Sequence, residues 1–210
     1  MKDIEGQIAY FSKPGRQNTE KLLILAKKRA GELGIKTILV ASNTGYTALK
    51  ATEVFKGMKV VIVRSLTRGM WTDETIRKVE ARGGIIYSGT HAFQGLNEAM
   101  RRKFNMYLPN DIVANTLRIF SEGTKVVCEI SLMAVDAGLV SPAEDIIVIA
   151  GTGRGADTAV VLRPVHSLDF FELRIKEIIC KPHLSPPHPH VNPQPDDKSI
   201  YAARTMRTTN

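Results

Sequence analysis

Short runs of apolar residues alternate with longer stretches of helical spacing along this chain of 210 residues. The apolar runs are rich in β-branched residues, which predicts buried strands, and they cover 36–41, 59–64, 85–88 and 146–150. Between the runs, apolar residues recur at helical spacing, and the predicted helices cover 17–33, 45–55, 72–82, 91–107, 110–120 and 122–139. This alternation predicts a parallel sheet with helices on both faces.

End signals support the predicted helices. Thr72 can cap the helix that follows it, and Asp73 and Glu74 in the first turn suit the positive end of the helix dipole. Gly34 follows the first helix, and glycine readily adopts the left-handed conformation that ends a helix. Residue chemistry and periodicity therefore agree on these boundaries.

The pattern changes after residue 151. Residues 159–163 form a short β-branched segment, and Pro164 forbids a long helix there. A strand, a tight loop and a second strand form a hairpin, so this fifth strand should run antiparallel to the fourth. Residues 171–178 alternate apolar and charged side chains, as a half-exposed strand would. The predicted fold is α/β, with three αβα layers and a mostly parallel sheet that includes one late antiparallel strand.

The predicted domain covers residues 1–180, and residues 181–210 are predicted to be a tail. The tail is rich in proline and contains His183, His188 and His190, a composition that cannot build a core. The histidines could bind a metal, but their proline spacing fixes no geometry, so we predict no metal site.

Composition narrows the classes of function. The net charge of +8 is spread along the chain without interleaved aromatic residues, which argues against specific nucleic-acid binding and favours anionic small ligands. No apolar stretch is long enough to cross a membrane, and no signal peptide is apparent. The chain has two cysteines, Cys128 and Cys180, which is typical of a protein in a reducing cytoplasm. We expect both to pack as small apolar residues. We predict a cytoplasmic protein, for which a homo-oligomer is left open.

Four loops follow strand ends that a parallel sheet brings to one edge, where open α/β sheets bind ligands: 42–47, 64–71, 88–93 and 151–158. The first and the last contain glycine and small hydroxylated residues, which let backbone N–H groups approach a phosphate. We therefore predict a site for a phosphorylated ligand. The predicted binding residues are Ser42, Asn43, Thr44, Gly45, Tyr46, Thr47, Arg64, Ser88, Gly89, Thr90, His91, Gly151, Thr152, Gly153, Arg154, Gly155, Ala156 and Asp157.

Each of these loops also has a purely structural interpretation. Gly45 can be a plain strand-to-helix turn, and residues 151–155 can be a hairpin loop that needs positive φ. His91 can be a helix cap or a surface residue. The same 151–156 segment matches the G-x-G-x-x-A dinucleotide fingerprint, but that motif must open a helix and here a strand-like segment follows, so we interpret the match as accidental.

Two carboxylates on the predicted helix 122–139 are candidate acid–base groups. Glu129 and Asp136 are seven residues apart, which places them on one helix face beside apolar residues, where burial can raise a carboxyl pKa. Either one can equally pair with a buried cation or cap a loop. Catalytic residues therefore stay unassigned.

At the two glycine-containing loops the chain resembles the C-terminal α/β domain of pyruvate kinases. In that domain, a strand ends in a Ser/Thr-rich, glycine-containing loop that opens a helix and grips a sugar phosphate effector, and residues 41–48 are similar in order and setting. Residues 151–164 resemble the end of that domain, where a Gly-rich effector loop leads into an antiparallel strand that finishes at a proline. The likeness covers roughly residues 17–165 in element order.

The resemblance implies a stand-alone protein related to that domain, a group associated with bound flavin mononucleotide (FMN). The flavin is implied by the resemblance alone. The catalytic barrel of the kinases has no counterpart in this chain, so no pyruvate kinase activity is expected.

The leading hypothesis is binding of a phosphorylated small molecule or nucleotide, with FMN as the ligand implied by the resemblance. Backbone N–H groups and hydroxyls of 43–47 or 152–158 would hold the phosphate, and Arg154 or Arg64 would add charge-assisted hydrogen bonds. Trp71, Phe93 or His91 would contact the ring, although core packing explains the two large aromatic residues equally well.

The alternative hypothesis is an enzyme, either a flavin-dependent oxidoreductase or an acid–base catalyst that uses Glu129, Asp136 or His91. A third interpretation is a regulatory module that docks on a larger partner through an exposed apolar patch.

Overall fold

A seven-stranded sheet lies between two layers of helices in the computed structural model, which describes residue 3 and residues 5–66 and 71–184. The strands are β1 (Ala9–Phe11), β2 (Thr37–Ala41), β3 (Lys59–Ser65), β4 (Gly84–Gly89), β5 (Ile146–Ala150), β6 (Thr158–Arg163) and β7 (Arg174–Pro182). The α-helices are α1 (Thr19–Leu33), α2 (Tyr46–Val54), α3 (Asp73–Ala81), α4 (Leu96–Phe104), α5 (Pro109–Arg118) and α6 (Glu122–Asp136). Single 3₁₀ segments cover Arg16–Asn18 and Ser167–Glu172.

The strand order is β1-β7-β6-β5-β2-β3-β4. Strands β2, β3, β4 and β5 pair in parallel, and β1 pairs in parallel with β7. Strand β6 runs antiparallel to both of its neighbours, β5 and β7. The predicted fold class, a three-layer α/β fold with a late antiparallel strand, is therefore confirmed.

Each face of the sheet has its own hydrophobic core, because successive side chains of a strand point to opposite faces. In β2, Ile38 and Val40 belong to the core that packs against α1, α2 and α3. Leu39, between them, belongs to the core that packs against α5 and α6. Strands that are buried on both faces read as continuous apolar runs, which is the pattern that located them in the sequence.

The predicted end signals act as expected. The Thr72 hydroxyl accepts a hydrogen bond from the backbone N–H of Thr75, and Gly34 ends α1 in the left-handed conformation. The predicted helix at 91–107 instead begins at Leu96, because residues 91–94 form a turn in which Gln94 N–H donates to the His91 carbonyl. Local turn chemistry there overrides the apolar spacing.

The carboxyl-terminal part of the sheet extends further than predicted. Strand β7 begins after a 3₁₀ segment and ends at Pro182, so the first two residues of the predicted tail belong to the sheet. Its partner β1 is too short to give a periodic pattern and was not predicted. His183 N–H donates to the Phe11 carbonyl at 2.8 Å, while His188 and His190 lie outside the described residues.

Both cysteines are apolar fillers. Cys128 on α6 and Cys180 on β7 are buried and unpaired, and burial raises the pKa of each thiol to about 12, so neither is a ready nucleophile. Within the part of the chain that the structure describes, no helix combines the length and apolar character needed to cross a bilayer.

A pair of glycine substitutions tests the packing of α6 on the sheet. A β-carbon on Gly123 would lie 2.2 Å from Oγ1 of Thr158, so Gly123→Ala should lower the free energy of unfolding by about 1–3 kcal/mol. Gly31 lies exposed within α1 with open space around it, so Gly31→Ala should raise that free energy by about 0.5–1 kcal/mol. Urea unfolding of both variants measures the difference, and equal effects would contradict the close approach of α6 to β6.

Candidate functional site

Two of the predicted loops meet in one cleft at the carboxyl ends of β2 and β5. The loop after β2 and the loop after β5 form its walls, and the turn after β4 contributes His91 and Gln94. The predicted residues that line this cleft are Ser42, Asn43, Thr44, Thr47, His91, Gly151, Gly153, Arg154 and Gly155. The sheet edge therefore brings together half of the predicted set.

The other predicted residues lie behind or beside the cleft. Tyr46 lines a neighbouring hollow with Thr44, Arg154 and Gly155. Ser88 and Gly89 still belong to β4, in register with Arg64 and Ser65 of β3. The predicted residues that line neither the cleft nor this hollow are Gly45, Arg64, Ser88, Gly89, Thr90, Thr152, Ala156 and Asp157. Residues 67–70 of the second predicted loop lie outside the described residues.

The 42–47 loop is held by its own side chains. Ser42 Oγ accepts a hydrogen bond from Ala48 N–H at 3.2 Å, and Asn43 Oδ1 accepts one from Ser65 N–H at 2.9 Å. The hydroxyls of Thr44 and Thr47 have no such partner among the described residues, and both line the cleft. Ser42 and Asn43 therefore shape the loop, while Thr44, Thr47 and the backbone N–H groups that precede Ala48 in the first turn of α2 are available to a ligand.

Gly45 serves the packing of this loop. Its φ is +83°, and a β-carbon would lie 2.4 Å from Cγ2 of Thr75 and 3.5 Å from the Trp71 ring. The Trp71 indole N–H donates to the Ser42 carbonyl at 3.3 Å from beneath the loop. Gly45 is therefore required by the turn itself, as its structural interpretation proposed.

Neither large aromatic residue is available for ring stacking in the cleft. Trp71 and Phe93 are each only 8% exposed, and they belong to the cores on opposite faces of the sheet. Phe93 packs edge-to-face on Phe170 with ring centroids 5.5 Å apart. The expectation that either residue contacts a flat ligand ring is replaced by core packing.

Asp157 organises the 151–158 loop from inside. Its Oδ2 accepts hydrogen bonds from Gly15 N–H at 2.8 Å and Thr152 N–H at 3.1 Å, and its Oδ1 accepts one from the Thr158 hydroxyl at 3.0 Å. Burial raises the pKa of Asp157 in spite of these donors. The carboxylate is fully buried, so it positions the loop and does not face a ligand.

The same loop presses closely on the start of α1. A β-carbon on Gly155 would lie 2.4 Å from Cα of Arg16, and Ala156 N–H donates to Thr19 Oγ1 at 2.9 Å. Arg154, which directly precedes these anchors, is exposed and has no carboxylate partner among the described residues. The loop therefore presents one free cation on a fixed backbone.

A buried ionic network forms the inner wall of the cleft, and its central residue is Glu129 on α6. Glu129 Oε2 accepts hydrogen bonds from Lys125 Nζ and, at 3.0 Å, from the His91 ring, while Oε1 accepts one from Phe93 N–H at 3.1 Å. Lys125 is 2% exposed and Glu129 is fully buried. Burial alone would raise the pKa of Glu129, but the hydrogen bond from His91 and the charge of Lys125 hold it below its usual value.

Asp136 takes no part in this network, so the two carboxylates singled out in the sequence have separate roles. Asp136 lies exposed at the end of α6, where its Oδ1 accepts a hydrogen bond from Ser167 N–H at 3.0 Å and lies 3.2 Å from the His166 ring. Of these two carboxylates, only Glu129 stays a candidate acid–base group beside the cleft.

Several residues of the cleft were not predicted from the sequence: Gln94, Glu122, Lys125, Val126 and, in the neighbouring hollow, Arg16. The sequence does contain a signal for Lys125. It precedes Glu129 by four residues near the start of an apolar helix, and this spacing favours an ion pair. The sequence contains no signal for Arg16, because it reaches the site through the packing of the first helix against a distant loop. There its guanidinium stacks on the Tyr46 ring at 3.9 Å.

The chain is similar to one domain of the pyruvate kinases. The family model described as "Pyruvate kinase, alpha/beta domain" matches residues 20–162. A crystal structure of a pyruvate kinase from Cryptosporidium parvum covers 70% of this chain at 15% identity with a TM-score of 0.38, and a second one covers 70% at 13% identity with a TM-score of 0.34. A structure of C. parvum pyruvate kinase in complex with ADP covers 68% at 12% identity with a TM-score of 0.33. The chain spans 22–23% of the length of these enzymes.

Two substitutions of Asp157 test its role in the loop. Asp157→Ala leaves the N–H groups of Gly15 and Thr152 without their acceptor and should lower the free energy of unfolding by about 2–4 kcal/mol. Asp157→Asn keeps an acceptor oxygen and removes a charge that burial disfavours, so it should lower that free energy by less than about 1 kcal/mol. Urea unfolding at neutral pH measures both, and an equally small loss in the alanine variant would contradict the positioning role.

Proposed function

The chain belongs to the pyruvate kinase alpha/beta domain family, and on this premise we propose that it binds a phosphorylated small molecule in the cleft between the 42–47 and 151–158 loops. The observation that carries the proposal is the convergence of a helix N-terminus, two hydroxyls and the guanidinium of Arg154 on this one cleft. The proposed location is the cytoplasm, which the unpaired thiols of Cys128 and Cys180 support. The proposed partner is a small molecule, not a nucleic acid or a membrane.

Each of these groups suits a phosphate. Helix α2 begins at the cleft, and the N–H groups of its first turn carry partial positive charge. Thr44 and Thr47 add hydroxyl donors, and Arg154 adds a guanidinium that can form charge-assisted hydrogen bonds. Glu122 also lines the cleft, but its carboxylate is paired with Arg118 at 2.6 Å, which reduces its repulsion of an anion.

The cleft suits the polar part of FMN, the ligand implied by the resemblance, better than its flat ring. The cleft offers polar groups for a phosphate and a hydroxylated chain, and Val126 is its one large apolar side chain among the described lining residues. Tyr46 lies in the neighbouring hollow, where Arg16 covers its ring. We therefore base the proposal on the phosphate and the polar body of the ligand, and FMN is the first ligand to test.

A second candidate function, acid–base catalysis on the bound ligand, has one observation in its favour. His91 lines the cleft and is fixed by a buried carboxylate, an arrangement in which one residue orients a proton-transferring imidazole. The flavin-dependent oxidoreductase alternative has no comparable support from the described residues.

The first prediction concerns what the purified protein carries. Protein prepared without added ligand should release a phosphorylated small molecule when it is denatured, detected by mass spectrometry. Released FMN with flavin absorbance in the native protein would identify the ligand, and a colourless sugar phosphate or nucleotide would keep the site and exclude the flavin. Protein that carries nothing and binds neither FMN nor inorganic phosphate in calorimetry would contradict the proposal.

The second prediction concerns Arg154. Arg154→Ala should weaken binding of FMN or inorganic phosphate about tenfold, because a hydrogen bond to a charged group is worth about 1.5–3 kcal/mol. The control is Arg77→Ala, which removes the same charge from an exposed position on α3 away from the cleft. Calorimetric titration compares the two, and equal weakening would show that only net charge matters.

A further inference from the structure

The ionic network fixes which nitrogen of His91 carries a proton. Glu129 forms a buried ion pair with the ammonium of Lys125, and an ionised carboxylate can only accept hydrogen bonds. The contact at 3.0 Å between His91 Nδ1 and Glu129 Oε2 therefore requires a proton on Nδ1. In neutral His91, the lone pair must then reside on Nε2.

The remaining nitrogen, Nε2, has no hydrogen-bond partner among the described residues, and His91 lines the same cleft as Thr44, Thr47 and Arg154. Neutral His91 presents a lone pair there, which repels an anion. Protonated His91 presents an N–H donor instead, which attracts one. The two protonation states of one buried network thus have opposite effects on the ligand that the cleft is proposed to bind.

We propose that His91 takes up a proton from solvent on Nε2 when a doubly charged phosphate group binds, so that anion binding in this cleft is coupled to protonation of this histidine. The inference rests on the proposed function and deepens it, because it assigns the site to a dianionic phosphate monoester and assigns His91 to its recognition. Glu129 and Lys125 are positioning residues, since they act on the ligand through the imidazole.

Among the described residues, the charged groups that contact His91 or line its cleft are Glu129, Lys125 and Glu122 from α6 and Arg154 from the 151–158 loop. Any of them could make anion binding depend on pH. The test therefore alters His91 alone, and it uses sulfate as the probe because sulfate remains a dianion throughout the range of pH in which a histidine titrates.

Two variants separate the two ring nitrogens. The amide nitrogen of His91→Gln can occupy the place of Nε2 and donate to the anion at every pH. The amide nitrogen of His91→Asn can occupy the place of Nδ1, so it keeps the contact with Glu129 and loses the one with the anion. A purely structural role for the His91–Glu129 pair would make the asparagine variant the better mimic of the wild type in sulfate binding.

We expect the affinity of the wild-type protein for sulfate to fall about tenfold as pH rises through the titration of His91, since a charge-assisted hydrogen bond is lost. The glutamine variant should bind sulfate with little dependence on pH, and the asparagine variant should bind weakly at every pH. Saturating sulfate should also raise the pKa of His91 itself, measured by the ¹⁵N shifts of its ring in the wild-type protein.

The outcomes distinguish the inference from its premise. Sulfate binding that does not depend on pH, or a His91 pKa that sulfate leaves unchanged, would overturn the coupling and leave the proposed anion site standing. An absence of sulfate binding at any pH in the wild type would count against the proposed function and the inference together. The ring titration needs no variant, so it decides the question even where a substitution at 91 prevents folding.

Discussion

The start of β6 is the point on which the rest of the site depends, because it joins the two helical layers. Asp157 accepts a hydrogen bond from Gly15 N–H on the side of α1, and Thr158 Oγ1 lies 3.1 Å from Ser121 Oγ at the N-cap of α6. The Thr158 hydroxyl donates to Asp157 between them. One buried carboxylate and one hydroxyl therefore link the 151–158 loop to both faces of the sheet.

This link explains how the domain holds a charged cleft at the edge of its sheet. The loop that carries Arg154 is fixed from below by Asp157 and from one side by the close approach of Gly155 to Arg16. Helix α6 reaches the same place because Gly123 lets it approach Thr158, and it places Lys125 in the opposite wall with Glu129 behind it. Polar groups that look scattered in the sequence thus become neighbours through buried backbone contacts.

The interior network has a thermodynamic consequence for function. A lysine and a glutamate that are almost fully buried require each other, since either one alone would be an uncompensated charge in the protein interior. Their pairing keeps Glu129 as an acceptor for Nδ1–H of His91, and under the proposed function Nε2 is left to respond to the ligand. Stability and the proposed recognition of a ligand therefore depend on the same carboxylate.

The sequence by itself determined the strands at 36–41, 59–64 and 146–150. It also determined the hairpin that leads into β6 and the two loops that form the cleft. It could do so because local periodicity and the positions of glycines are short-range properties. Only the tertiary structure decided that Asp157 faces inward, that Trp71 supports a loop and that Lys125 reaches the cleft. The short strand β1 likewise exists because β7 supplies its backbone partners. Such roles depend on which distant segment fills the space beside a side chain, and no local pattern encodes that neighbour.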